Sequence, residues 1–365
     1  MEELRVPGPT PCPPEVLKAM AKQMINHRSE EFEGMMEAVT ANLKRLFQTK
    51  NDVFLLTGSG TGGLEAVVVN TLSPGDKVLA LSSGAFGERF ITITQKFGAD
   101  VVPLRFDWGK PVDVEAVRQA LKTEAKIKAV MVTHNETSTG VTNDLAAISS
   151  LVKEYDKLLL VDAISSLGSI DLPVDKWNCD VVVTASQKGW MVPPGMAMLS
   201  VSQAAWKAHA VAKMPRFYWD FTQAKKYQDK QQTPWTPAVS VVFALSVALE
   251  MMLKEGLPNI IARHARVGRA ARSGVKSLGL SLLADEDYAS NTVTAVNSPA
   301  GVDSEKLLEV LREEHHIELA EGQAHLVGKI FRIGHLGWVT EKDIEKVIKA
   351  LKVALPKLGF VGAAV

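Results

Sequence analysis

Lys188 stands just beyond an apolar, β-branched run, Val181 to Thr184, in the stretch VVVTASQKGWMVPPG. Desolvation behind a buried strand lowers the pKa of an ammonium group and makes it a usable nucleophile. Two further groups could do chemistry. Asp162 closes LLLVD, five residues that read as a buried strand, where a carboxylate is costly unless a cation pairs with it. Gly58, Gly60 and Gly63 satisfy G-x-G-x-x-G between a strand and a helix. Each has a plainer explanation when taken singly: a solvated lysine, a helix cap, a tight turn.

The glycine pattern raises a dinucleotide site, which also needs an acid at the end of the second strand to hold a ribose. Here that strand, VLAL, runs into Ser82-Ser83-Gly84, and Asp76 precedes it, at the wrong end. What survives is a helix N-terminus whose free N–H groups, with the hydroxyls of Ser59 and Thr61, form a cradle for a phosphate monoester. A cradle, a buried acid and a buried lysine together are what pyridoxal 5′-phosphate requires. The acid keeps its ring nitrogen protonated and the lysine forms a Schiff base with its aldehyde.

These groups are spaced by a repeating pattern of strand, turn and helix. Strands are expected at 53–57, 78–81, 101–104, 129–133, 158–162 and from 181. Between them come a turn over 58–63 and helices at 64–72, 86–97, 114–121 and 145–155. Such alternation predicts an α/β fold with a mostly parallel sheet, here of seven strands, and ligands at the strands' carboxyl ends. Ahead of it, a proline-rich arm (1–15) precedes helices at 14–24 and 29–47, with Ser29 an N-cap. A buried helix is expected at 239–253. The large domain spans 16–256, and a smaller α+β domain, 257–365, follows. It carries helices at 258–278, 304–315 and 340–355, with Thr340 and Asp343 as a capping box. Its expected strands are 280–283, 291–297, 317–320 and 330–333.

Composition narrows the partners. Lysine plus arginine, 41, equals aspartate plus glutamate, 41, so no charge excess points to nucleic acid or an anionic membrane. The stretch 239–253 is too short and too interrupted to span a bilayer. Cys12 and Cys179 form no metal-ligand spacing, and no metal is expected. Two thiols and an N-terminus unlike a signal peptide lead to an expected cytoplasmic location.

The set PGPT, GSGTGGLEA, GAFG, THNETSTG, LLLVDAISSLG, ASQKG…PPG, TPWTPAVS and FRIGHLG, in that order along nearly the whole chain, resembles the class V aminotransferases of fold type I. The nearest branch is the alanine–glyoxylate, serine–pyruvate and serine–glyoxylate group. The resemblance implies Lys188 as the cofactor lysine with Gln187 beside it, and Asp162 on the ring nitrogen. Ile164 and Phe86 would lie on opposite faces of the ring, although some relatives carry Trp at the Phe86 position. Thr137 would lie near the phenolic oxygen, and Ser59, Gly60 and Thr61 at the phosphate. Thr233 and Thr236 would reach the phosphate of a neighbouring subunit in a homodimer. Gly8 and Arg332 would face the substrate, with Arg332 on its α-carboxylate, where a planar guanidinium fork matches the two oxygens. His27 and Arg28 look like part of the approach to the site, and a solvated helix end explains them as well.

The implied activity is a two-stage amino transfer from alanine or serine to glyoxylate or pyruvate. Transamination of 2-aminoethylphosphonate with pyruvate fits the same motifs. Cysteine desulfuration does not, since it needs a catalytic cysteine in the C-terminal part and a histidine where Gln187 stands. A reading of another class is a non-catalytic accessory subunit of a soluble hydrogenase.

Overall fold

The computed structural model describes residues 3–360; the first two and last five residues, at the ends of the expected arm and small domain, lie outside it. Seven strands form the main sheet, in spatial order Asp52–Thr57, Met196–Val201, Val181–Ala185, Leu158–Asp162, Ile127–Thr133, Lys77–Ser82 and Asp100–Arg105. Met196–Val201 runs antiparallel to both its neighbours, and the other six share one direction. The inner strands are largely apolar because both faces are covered, while the edge strand Asp100–Arg105 is partly exposed. Leu79, Leu81, Val130, Val132, Leu159 and Val161 enter the core beneath the helices Glu30–Phe47, Leu145–Glu154 and Val239–Glu255. The alternate residues Val78, Ala80, Ala129, Met131 and Leu160 enter a second core under the helices Gly60–Thr71 and Ala85–Lys96. Among the described residues no helix is long and apolar enough to cross a membrane.

A smaller C-terminal part follows. Its helices Leu257–Ser277, Ser304–His315 and Glu341–Lys357 share a third core with the antiparallel strands Val293–Asn297 and Ile330–Gly334. Asp343 caps the last helix, accepting from Thr340 N at 2.8 Å. The N-terminal arm is tied to both parts. Glu3–Leu4 pairs with Ile317–Glu318, Gly334 N donates to Arg5 O at 2.6 Å, and Thr10 N donates to Gln187 O at 3.1 Å.

Several expected boundaries need correction. The first helix is Pro14–Met20 and stops short of Met24, which is 53% exposed, so no buried face repays further turns. The stretch 280–283 is not a strand and makes only a bridge from Leu282 to Val296. Residues 317–320 split between two sheets, Ile317–Glu318 taking the arm and Ala320–Glu321 joining Ile330–Gly334. The glycine turn is shorter than its spacing suggested. The helix begins at Gly60, with Ser59 as its N-cap accepting from Gly62 N at 3.4 Å, so Gly60 and Gly63 lie inside it.

Glycine is unfavourable in a helix by about 1 kcal/mol, and packing explains its presence at position 63. A β-carbon on Gly63 would meet Val183 Cγ1 at 2.7 Å and Ala197 Cβ at 3.1 Å; one on the exposed Gly34, also helical, would meet nothing within 4 Å. Gly34→Ala should therefore stabilise by about 1 kcal/mol, and Gly63→Ala should destabilise by about 1–2 kcal/mol despite the same gain in helix propensity. Urea midpoints of the two variants should move in opposite directions.

Candidate active site

The carboxyl ends of the six co-directional strands meet along one edge of the sheet, and the residues that could do chemistry follow them. Val181–Ala185 turns into Ser186-Gln187-Lys188, a turn closed by Ser186 N donating to Met196 O and by Ser186 Oγ donating to Pro193 O at 2.8 Å. Lys188 is buried, and its Nζ donates to Pro7 O at 2.8 Å. No carboxylate pairs with it among the described residues. Burial, then the Arg332 guanidinium, pull its pKa down to about 8 against the opposing effect of Asp162. Asp162 ends the neighbouring strand, its Oδ1 accepting from Ile164 N at 2.9 Å. Burial raises its pKa to about 7, with Glu136 adding to the shift and Lys188 opposing it.

Arg332, on Ile330–Gly334, is also buried, and burial lowers its pKa to about 10. Its Nε donates to Glu321 O at 2.8 Å and its Nη1 to Thr137 O at 3.2 Å, while Nη2 has no acceptor among the described residues. Thr137 Oγ1 donates to Ser165 Oγ at 2.7 Å, beside Ile164. Ile164 in turn closes on the glycine turn, where a β-carbon on Gly60 would meet its Cδ1 at 2.5 Å. The N–H groups of Gly60 and Thr61 find no acceptor among the described residues, leaving two donors at a helix N-terminus. Gln187 Oε1 is buried and likewise unpartnered. Gly8 lies against the lysine, with a φ of +135°; a β-carbon there would sit 2.6 Å from Lys188 Cδ.

Lys188, Asp162, Ile164, Gln187, Thr137, Arg332, Gly8 and the Ser59–Thr61 turn are thus linked by contacts or by mutual electrostatics. Phe86 joins them as the second residue of the helix Ala85–Lys96. Thr233 and Thr236 are placed otherwise. Thr233 is buried, its Oγ1 donating to Trp235 O at 2.7 Å, and Thr236 is exposed. Arg28 anchors their loop, its Nη1 donating to Thr233 O at 2.6 Å and to Gln232 Oε1 at 2.9 Å. His27 has no comparable contact among the described residues.

Two contributors went unread in the sequence. Glu136, fully buried, accepts from Phe86 N at 3.2 Å and Gly87 N at 3.1 Å, and Ser138 Oγ accepts from Ala85 N at 2.9 Å. The pair caps the helix that carries Phe86. Burial raises the Glu136 pKa, and its hydrogen bonds work the other way. The signal was an acid three residues beyond an apolar strand, inside the run THNETSTG. The other is Trp219, whose ring lies on the glycine turn; a β-carbon on Gly58 would be 2.8 Å from its Cη2. No local pattern announces that contact.

A family model described as class-V aminotransferase matches residues 4–347. The chain is 48% identical to the soluble hydrogenase 42 kDa subunit of Anabaena cylindrica, over 98% of this chain and 94% of that one. It is 37% identical to a serine–glyoxylate aminotransferase of Methylorubrum extorquens, over 96% of this chain and 90% of the relative. Among solved structures, an alanine–glyoxylate aminotransferase from Nostoc matches with a TM-score of 0.94 at 32% identity, covering 97% of this chain and 95% of the other.

With Lys188 near 8 when folded and 10.5 as its ordinary value, the unfolded chain holds more protons between those limits, so this group's contribution to stability rises with pH across the window. Lys188→Met removes the titration. In ligand-free protein the variant's advantage in thermal midpoint should be largest below pH 8 and shrink towards pH 10.5. A difference that stays constant from about pH 7 to pH 10 would show that the amine is not held out of water.

Proposed function

The chain belongs to the class-V aminotransferases, and from that premise we propose that it binds pyridoxal 5′-phosphate and moves an amino group from a small amino acid, alanine or serine, to glyoxylate or pyruvate. The observation that carries this reading is one buried amine, one buried carboxyl and one buried guanidinium, Lys188, Asp162 and Arg332, each shifted chiefly by burial, with the charges of Arg332 and Asp162 acting on Lys188 and that of Lys188 on Asp162.

The residues present fit the cofactor. The free N–H groups of Gly60 and Thr61 suit its phosphate, and the orphaned Gln187 Oε1 offers a buried acceptor. Phe86 and Ile164 would hold its ring, and Thr137 its phenolic oxygen. When bound, it supplies an electron sink for the carbanion formed at the substrate α-carbon. Asp162, ionised beside a cationic ring nitrogen, keeps that nitrogen protonated; without such a partner burial favours its neutral form. Lys188 takes and returns the α-proton, a task that suits an amine whose pKa lies near 8. Arg332 holds the α-carboxylate through donors that its two carbonyl acceptors leave free.

Thr236 lies exposed beside an aromatic surface that includes Phe217, 74% exposed, and Trp235 stacked on it at 4.9 Å. That supports a homodimer in which Thr233 and Thr236 serve the neighbouring site. We place the division between large and small domains at Gly256, and two unpaired thiols support a cytoplasmic setting. The accessory-subunit reading draws on the name of the Anabaena relative. Burying three ionisable groups is expensive for a chain with no use for them, and this supports catalysis.

Alanine, serine and 2-aminoethylphosphonate, each tested against glyoxylate and pyruvate, should give turnover with the amino acids and little with the phosphonate. Lys188→Ala should abolish it, and borohydride should no longer fix a pyridoxyl group to the protein. Arg332→Lys should lower kcat/KM for the amino donor by roughly 100-fold, mostly through KM, because a point charge cannot replace the two-bond fork. A Lys188→Ala variant with full transaminase activity would refute the assignment.

A further inference from the structure

One cation at the rim of the site has no role in the chemistry above. Arg89 lies one turn beyond Phe86 on the helix Ala85–Lys96, its guanidinium carbon 4.7 Å from the centre of the Phe86 ring. Its Nη1 donates to Thr61 Oγ1 at 3.4 Å, so it touches both the glycine turn and the aromatic platform. The adjacent Glu88 is engaged by Arg105 at 2.9 and 3.0 Å, and among the described residues no carboxylate pairs with Arg89. Its charge is felt inside the site, where it favours the neutral form of Lys188 and the ionised form of Asp162.

A surface arginine needs no partner, and placement is what separates this one from the ordinary case. The turn it touches offers two N–H groups, at Gly60 and Thr61, that have no acceptor among the described residues, and no other cationic side chain among those residues bonds to it. A phosphate monoester brings a charge of about −1.5 to −2, more than two neutral donors and a helix end balance alone. A guanidinium matches phosphate oxygens in a planar fork, and stacking on Phe86 limits the freedom it must lose on binding.

We propose that Arg89 is a phosphate-recognition residue of the cofactor site, completing from the rim the cradle formed by Gly60 and Thr61. The assignment rests on the pyridoxal phosphate reading above. It separates two contributions to cofactor affinity: the lysine and acid deal with the ring, and the direct contacts of Arg89 are to the phosphate, its effect on Lys188 and Asp162 being the smallest among the groups that perturb them.

The test compares pyridoxal 5′-phosphate with pyridoxal, which lacks the phosphate, on cofactor-stripped parent, Arg89→Ala and Arg89→Lys proteins. Dissociation constants come from tryptophan fluorescence quenching, and circular dichroism verifies the fold. Arg89→Ala should weaken pyridoxal 5′-phosphate by about tenfold or more, Arg89→Lys by less, and neither should change pyridoxal binding beyond about twofold. Inorganic phosphate should compete with pyridoxal 5′-phosphate more strongly in the parent than in Arg89→Ala. Equal affinity of parent and Arg89→Ala for pyridoxal 5′-phosphate overturns the proposal. Parallel weakening of both ligands also overturns it, since Arg89 would then act by holding Phe86. A parent that binds neither ligand fails at the earlier reading, a result these arms keep distinct.

Discussion

An ammonium group removed from water without a carboxylate to meet it is the constraint on which this structure turns. Lys188 donates to a single neutral carbonyl, that of Pro7, and among charged neighbours the largest effect on it is the repulsion of Arg332. An amine so placed tends to shed its proton. Keeping it there takes a dry strand end on one side and a backbone wall on the other. The parallel sheet provides the first, because both its faces are covered and its strand ends converge. The N-terminal arm provides the second, tied to Ile317–Glu318 and to Gln187 by backbone hydrogen bonds.

Glu136 has a comparable position on the opposite wall. Its carboxyl accepts from the first N–H groups of the helix that carries Phe86, where an acid is favoured by the helix dipole. The same charge raises the pKa of Asp162 and supports the charged form of Arg332. One buried side chain thereby orients an aromatic platform and biases both the acid and the guanidinium of the site. Such coupling is strong because the surroundings are dry.

What could be read in advance depended on how local the cause was. The cap at Ser59 was not legible, whereas Ser29 and the Thr340–Asp343 pair cap helices through their own neighbours, and both were legible. So was the run of strands and helices up to Val181, since each strand's apolar character reflects burial on both faces. Met196–Val201 escaped because it follows Pro193-Pro194-Gly195 and its methionines carry no strand signature, although it is inserted antiparallel between two strands. Gly60 and Gly63 read as a turn because glycine disfavours helices. They lie in a helix and are glycine because Ile164 and Val183 leave no room for a side chain, which only the assembled fold reveals. The proline-rich arm has the composition of a loose tail, and its anchors lie hundreds of residues away.

The same distinction explains why the reaction class is plainer than the substrate. Arg332 is fixed by carbonyls of Glu321 and Thr137, one from each part of the molecule, and its remaining donors answer a group that every α-amino acid carries. It therefore selects amino acids as a class and is indifferent to their side chains. Discrimination among them falls to the walls beside the reacting amine, where one methylene is worth about 1–3 kcal/mol. The wall closest to that amine is the backbone of Gly8, whose φ of +135° favours glycine and where any side chain would collide with Lys188. Room at the α-carbon is thus governed partly by an arm outside the sheet, in a segment that carries no catalytic group.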